Sequence, residues 1–222
     1  MEKLMTIKGT GRAAATPDLT QVFLRLVTMD ADYQQAVKEA NQKIKQLEKA
    51  IQAHGFLAEE LKTRSFTVEA KQENAFQENE WQTHLLGYEA THLLELSFPS
   101  DQQRLANLLA DLAATKTNPG ISIHFALQDA AKLQQKLLYQ ATQDARSQAE
   151  ILAEASGLAL AELVRIENEP ENHLTVPTFQ AEGNFLKQAA DIPDFYPTDI
   201  EATRIVHFTW RFVENNLRRS QR

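Results

Sequence analysis

The chain has 222 residues, enough for one large domain or two small ones whose core needs no covalent staple. It contains no cysteine, which excludes disulfides, thiol catalysis and thiolate-bound metal. The formal net charge is −7, so the surface repels phosphate backbones and general nucleic-acid binding is not expected.

In chain order, Met1-Glu2-Lys3-Leu4-Met5 leads straight into strand-like sequence without an apolar signal segment. No uncharged apolar run reaches about 18 residues, so the expectation is a cytoplasmic protein without a membrane span. Next comes TIKGTGRAAATP, residues 6–17, whose Gly9-x-Gly11-x-x-Ala14 spacing matches a dinucleotide-binding turn. Such a turn must feed a helix whose N-terminal N–H groups face a pyrophosphate. Pro17 forbids a continuing helix and pushes Thr16 toward extended geometry, and a strand follows instead. Paired glycines in a strand mark a bulge or a close backbone approach; the preferred reading is a bulged or kinked strand that turns at Pro17-Asp18.

DLTQVFLRLVT, residues 18–28, alternates with Val22, Leu24 and Leu26 on one face and Gln21 and Arg25 on the other, which predicts a strand. Asp30 and Asp32 offer N-cap oxygens to an amphipathic helix carrying Tyr33, Val37, Ala40, Ile44, Leu47 and Ile51. His54-Gly55 ends it. Two strands are expected at 61–70 and 84–98, flanking a polar connection, KQENAFQENEWQT. In the second of them Tyr88, Ala90, His92, Leu94, Leu96 and Phe98 share a face. Ser100-Asp101 caps a shorter helix with Leu105, Leu108, Leu109 and Leu112 on its apolar side, broken by NPG at 118–120.

ISIHFALQ then predicts a strand facing inward through Ile121, Ile123, Phe125 and Leu127. Asp129 caps a long helix that Gly157 stops near Ser156. Along it Ala141, Ala145 and Ala149 recur in steps of four, a row of small side chains suited to close packing on a sheet or another helix. ELVRIEN, residues 162–168, reads as a short strand, and TRIVHFTWRFV, residues 203–213, closes the sheet with Val206, Phe208, Trp210 and Phe212 inward.

The order strand, helix, strand, strand thus occurs twice, over about 18–98 and 119–213, with the helix at 101–115 between. Asp30 to Gly55 spans 25 positions and Asp129 to Gly157 spans 28, so the two helices differ by under a turn. The expected fold class is α+β: two β-α-β-β units, antiparallel-rich sheets covered by long helices, in one domain over residues 1–222. Residues 169–200 hold four prolines and no sustained period, and they read as a long excursion. Phe179, Phe185, Leu186, Phe195 and Tyr196 lie in it and would be costly to leave in water, which makes them candidates for a flap, a subunit interface or a ligand lid.

Several segments together resemble the SIMPL-domain family: IKGTGRAAATPDLTQVFLRL, HGFLAEELKTRSFTV, LLGYEATHLLELSF, PGISIHFALQDAAKLQQKLLYQATQDARSQAEILAEASGLAL and PTDIEATRIVHFTWRF. The ordered set, spanning about residues 4–213, carries the resemblance; no single motif decides it. The family includes bacterial periplasmic proteins linked to oxidative-stress defence or known as immunogens, and a eukaryotic protein that binds a signalling kinase. The resemblance implies an α+β fold and, for some members, ring-like or channel-like homo-oligomers, and it supplies no catalytic residues. The absent signal segment departs from the periplasmic members.

No catalytic, cofactor-binding or metal-binding residues are expected. His54, His84, His92, His124, His173 and His207 form no H-E-x-x-H pair and no converging set such as zinc needs. His92, on an apolar strand face, reads as a hydrogen-bonded core residue. Neither G-x-S-x-G nor a Walker loop occurs. The resulting expectation is a non-enzymatic protein acting through homo-oligomerisation and protein contacts, in a stress-related setting. The alternative is a small-molecule-binding protein or enzyme with a pocket covered by residues 169–200.

Overall fold

The computed structural model describes residues 3–77, 80–115, 117–168, 173–175, 177–181 and 195–214. Among them are three α-helices and two antiparallel sheets, an α+β architecture. The elements divide into two compact units. One contains β2 (Leu19–Asp30), α1 (Tyr33–Gln52), β3 (Lys62–Gln77), β4 (Glu80–Pro99), α2 (Gln102–Ala114), β5 (Gly120–Ala126) and β8 (Thr178–Ala181). The other contains β1 (Lys3–Ala15), α3 (Ala130–Ala155), β6 (Leu158–Glu167), β7 (His173–Thr175) and β9 (Ile200–Glu214).

In the α1–α2 unit the sheet runs β3-β4-β2-β5-β8. The period-2 pattern sends Val22, Leu24, Leu96 and Ile123 to one face, where Leu47 and Ile51 of α1 and Leu108 of α2 cover them. All seven are at most 1% exposed, and burying each such side chain stabilises by roughly 1.5–3 kcal/mol. Both helices start where the sequence places oxygen acceptors. Asp32 accepts from Gln35 N at 2.9 Å and Asp101 from Arg104 N at 3.0 Å, each satisfying one orphan N–H of a first turn.

The α3 unit pairs β1 with β9 and β9 with β6, and β7 adds to β9. β1 and β9 stay in unbroken register from Lys3↔Phe212 to Ala15↔Ile200. The strand is therefore not bulged at its glycines, contrary to the preferred sequence reading. The glycines serve close approach instead. A Cβ on Gly9 would run into the carbonyl oxygen of Ala141 and lie 2.8 Å from Ala145 Cβ, and one on Gly11 would run into the carbonyl oxygen of Leu137. Ala141, Ala145 and Ala149 are fully buried there, so the alanine row of α3 and the bare backbone of β1 form one seam. α3 is capped by Asp129, which accepts from Lys132 N at 3.3 Å; hydrogen bonds from Lys132 hold that carboxyl below its ordinary range.

Three further differences from the sequence reading have physical causes. First, β5 pairs with β2, from Leu19↔Ala126 to Arg25↔Gly120, while β1 supplies the strand beneath α3. The large side chains Ile121, Ile123 and Phe125 fill the α1–α2 core, and only the glycine-bearing β1 fits against alanines. Second, the polar connection between the strands at 61–70 and 84–98 is itself strand, since β3 and β4 pair out to Gln77↔Glu80. Third, residues 169–200 contribute two short strands: β7 on β9, and β8 on β5.

Candidate functional site

The outer part of the β3–β4 hairpin leaves its sheet. β2 accompanies β4 only as far as Asp30↔Tyr88, and beyond that point, among the described residues, β3 and β4 pair with each other alone. The departure is built at Gly87, whose φ of 142° suits glycine and whose missing Cβ makes room for the carbonyl of Asp30. A register shift between Lys71 and Gln72 lies opposite. Lys71 is fastened there by Glu89 at 3.1 Å, and that hydrogen bond holds its ammonium above the ordinary value. Past this base the ribbon carries Trp81, Leu85 and Leu86, exposed by 74%, 53% and 49%. Such exposure is high for large apolar groups, and a two-stranded ribbon offers them little cover.

The second feature is the outward face of the same sheet. A pocket of about 710 Å³ opens on it, with Phe23, Val27 and Leu93 as apolar wall and Arg25, Lys43 and Arg64 as cations. Arg64 sits 3.1 Å from Glu95, with its guanidinium carbon 5.9 Å from the Phe23 ring centroid. Glu95 also accepts from Gln21 at 3.2 Å and Ser97 at 3.0 Å, so the carboxylate that anchors Arg64 is itself anchored. Lys43 reaches from α1 to donate to the carbonyl of Val27 at 2.8 Å. Phe23 packs against the His124 ring at 4.8 Å between centroids.

The sequence-predicted residues fall in three places. Phe179 and Phe195 meet edge-on at 4.9 Å and pack on the α1–α2 core, with Phe195 also near Phe125. Tyr196 is 75% exposed. Phe185 and Leu186 lie outside the described residues. His92 is buried, with its Nε2 2.9 Å from Thr63 Oγ1 and its ring beside Phe66, while its Nδ1 has no hydrogen-bond partner. Burial pushes the His92 imidazole below its ordinary 6.5, so it is neutral at pH 7. Among the described residues no three His, Asp or Glu side chains group as a metal site would require, and no helix is long and apolar enough to cross a membrane.

Sequence reasoning missed the apolar residues of the ribbon and the cationic pocket. Arg25 was legible as an outward residue of β2, but its convergence with Lys43 and Arg64 depends on three elements far apart in the chain. Trp81 and Leu85-Leu86 stand out in a polar stretch, and that contrast was the available signal.

Helices laid over antiparallel sheets, two such units in one chain and an unbroken N-terminal strand beneath an alanine-rich helix define the structural class. The chain belongs to the SIMPL family: the family model, described as a protein of unknown function (DUF541), matches residues 5–210. No curated protein matches the chain.

Proposed function

We propose that the protein acts by contact rather than by catalysis, assembling with copies of itself through the β3–β4 arm. The observation that carries this reading is the ribbon beyond Tyr88, which among the described residues pairs only within itself and exposes Trp81, Leu85 and Leu86. An isolated two-stranded ribbon is marginal in water, and its open edges template pairing with another chain. Exposed tryptophan beside aliphatic side chains is the composition of an interface anchor. The homo-oligomers implied by the family resemblance support the same reading. Phe179 and Phe195 are spent on their own unit, so this reading rests on the arm. Contact with an unidentified protein partner is the secondary form of this function.

The test is solution mass by light scattering across micromolar concentrations, for the native chain and for Trp81→Asp combined with Leu85→Asp. The native chain is expected to run as an oligomer and the double variant as a monomer with an unchanged circular dichroism spectrum. A native chain that stays monomeric over the whole range, or a double variant that assembles normally, overturns the reading.

A further inference from the structure

We propose that the pocket on the outward face of the β2–β4–β5 sheet binds a small amphipathic anion, a carboxylate carried on a flat apolar body. The chain as a whole is acidic, with a net charge of −7, yet three cations from three elements line this one pocket. Arg25 projects from β2 into this lining. Lys43 spends one of its three donors on the Val27 carbonyl and keeps two. Arg64 is held by Glu95 through Nε, which leaves the terminal nitrogens of its guanidinium unspent. Among the described residues, Glu95 is the one carboxylate bonded to any of the three, so the described cluster keeps a net positive charge.

The remaining wall decides what kind of anion fits. Phe23, Val27 and Leu93 present apolar surface beside those cations, and Ser122 and Gln180 add neutral polar groups. A pocket of this volume is of the size that encloses small organic ligands, and mostly apolar walls with a few converging polar groups are their usual setting. Guanidinium groups match a planar carboxylate through paired N–H donors. The pocket has neither a glycine-rich loop nor a helix N-terminus in its wall, the features that cradle a phosphate. Glu95 fixes Arg64 over Phe23 before any ligand arrives, so little ordering is left to be done on binding. Gln180, from β8, also lines the pocket.

This site stands independently of self-association, because all of its residues belong to one unit of one chain. The experiment is calorimetric titration of the full chain with 1-naphthoate, with its neutral counterpart 1-naphthalenemethanol, and with inorganic phosphate. Saturable binding of one naphthoate per chain is expected, with the alcohol and the phosphate each weaker by about tenfold or more, the loss that follows when a charge-assisted hydrogen bond or the apolar contact is missing. Arg25→Gln and Lys43→Gln are expected to weaken naphthoate by a similar factor each, while Lys8→Gln, outside the pocket, leaves it unchanged. Both pocket positions reach solvent, and thermal melting of each variant shows that the fold is kept. The Trp81→Asp, Leu85→Asp variant is expected to bind as the native chain does. Absence of saturable binding, equal affinity for the alcohol, equal affinity for phosphate, or pocket variants that bind like the native chain would each overturn the proposal.

Discussion

Two long edge strands of this protein, β1 and β3, are treated in opposite ways. β1 is an edge strand of its sheet, but α3 lies close enough to serve it: Thr10 N donates to Asp144 at 2.8 Å, Arg12 N to Gln140 at 3.1 Å, and Gln148 reaches the carbonyl of Lys8 at 3.5 Å. β3 is an edge strand too, paired with β4 on one side only among the described residues. Open edges invite pairing with other chains, and covering one with a helix is among the ways proteins prevent it. One edge is closed by a helix of its own chain, while the other is paired on one side only among the described residues. The difference originates in glycine: only a strand bare at Gly9 and Gly11 lets a helix come within reach of its backbone.

The sharpest way to break that contrast is Gly9→Ala. A single methyl group there strikes the backbone oxygen of Ala141, so α3 must move, at a cost of about 3 kcal/mol, the upper range for inserting volume into a packed core. Chemical denaturation measures the loss. Because the obstacle is backbone, truncating Ala145→Gly in the same chain is expected to restore little of it. A smaller effect is expected from Asp144→Ala, which removes the acceptor of Thr10 N–H but leaves the packing, at about 1.5 kcal/mol for a hydrogen bond to a charged group. Amide hydrogen exchange locates the change: Thr10 exchanges faster, with strand β3 unaffected.

The smallest effect concerns the open edge. His92 on β4 holds Thr63 of β3 and stacks beside Phe66, and its pKa in the folded chain is lowered by burial. The unfolded chain takes up the proton at the ordinary 6.5 while the folded chain resists it. Its contribution is therefore complete above pH 6.5 and is lost as pH falls through the depressed folded value. His92→Leu is expected to flatten the stability profile below pH 6.5, measured by urea unfolding at stepped pH. A profile unchanged by the substitution would show that His92 does not set it.

How much of this was legible in the sequence follows from how local the signals are. Caps at Asp32, Asp101 and Asp129 and the apolar faces of β2, β4 and α2 depend on spacing within one element, and they were readable. The arm was not, because KQENAFQENEWQT shows no period-2 hydrophobicity; residues 71–77 and 80–83 are strand by pairing alone. The sheet to which β5 belongs was equally hidden, since pairing partners are chosen by fit across long stretches of chain. Arg25, Lys43 and Arg64 converge for the same reason and left no local motif.

The seam between Gly9, Gly11 and α3 also explains why the opening of this chain imitates a nucleotide-binding fingerprint. In a dinucleotide fold the first glycines of the motif leave room for an oxygen atom of a pyrophosphate to approach the main chain. Here the same missing side chains leave room for carbonyl oxygens of Ala141 and Leu137, supplied by the protein itself. The sequence pattern records only that something oxygen-bearing and bulky must come near. Whether the visitor is a cofactor or a neighbouring helix is written in Pro17 and in the strand that follows it.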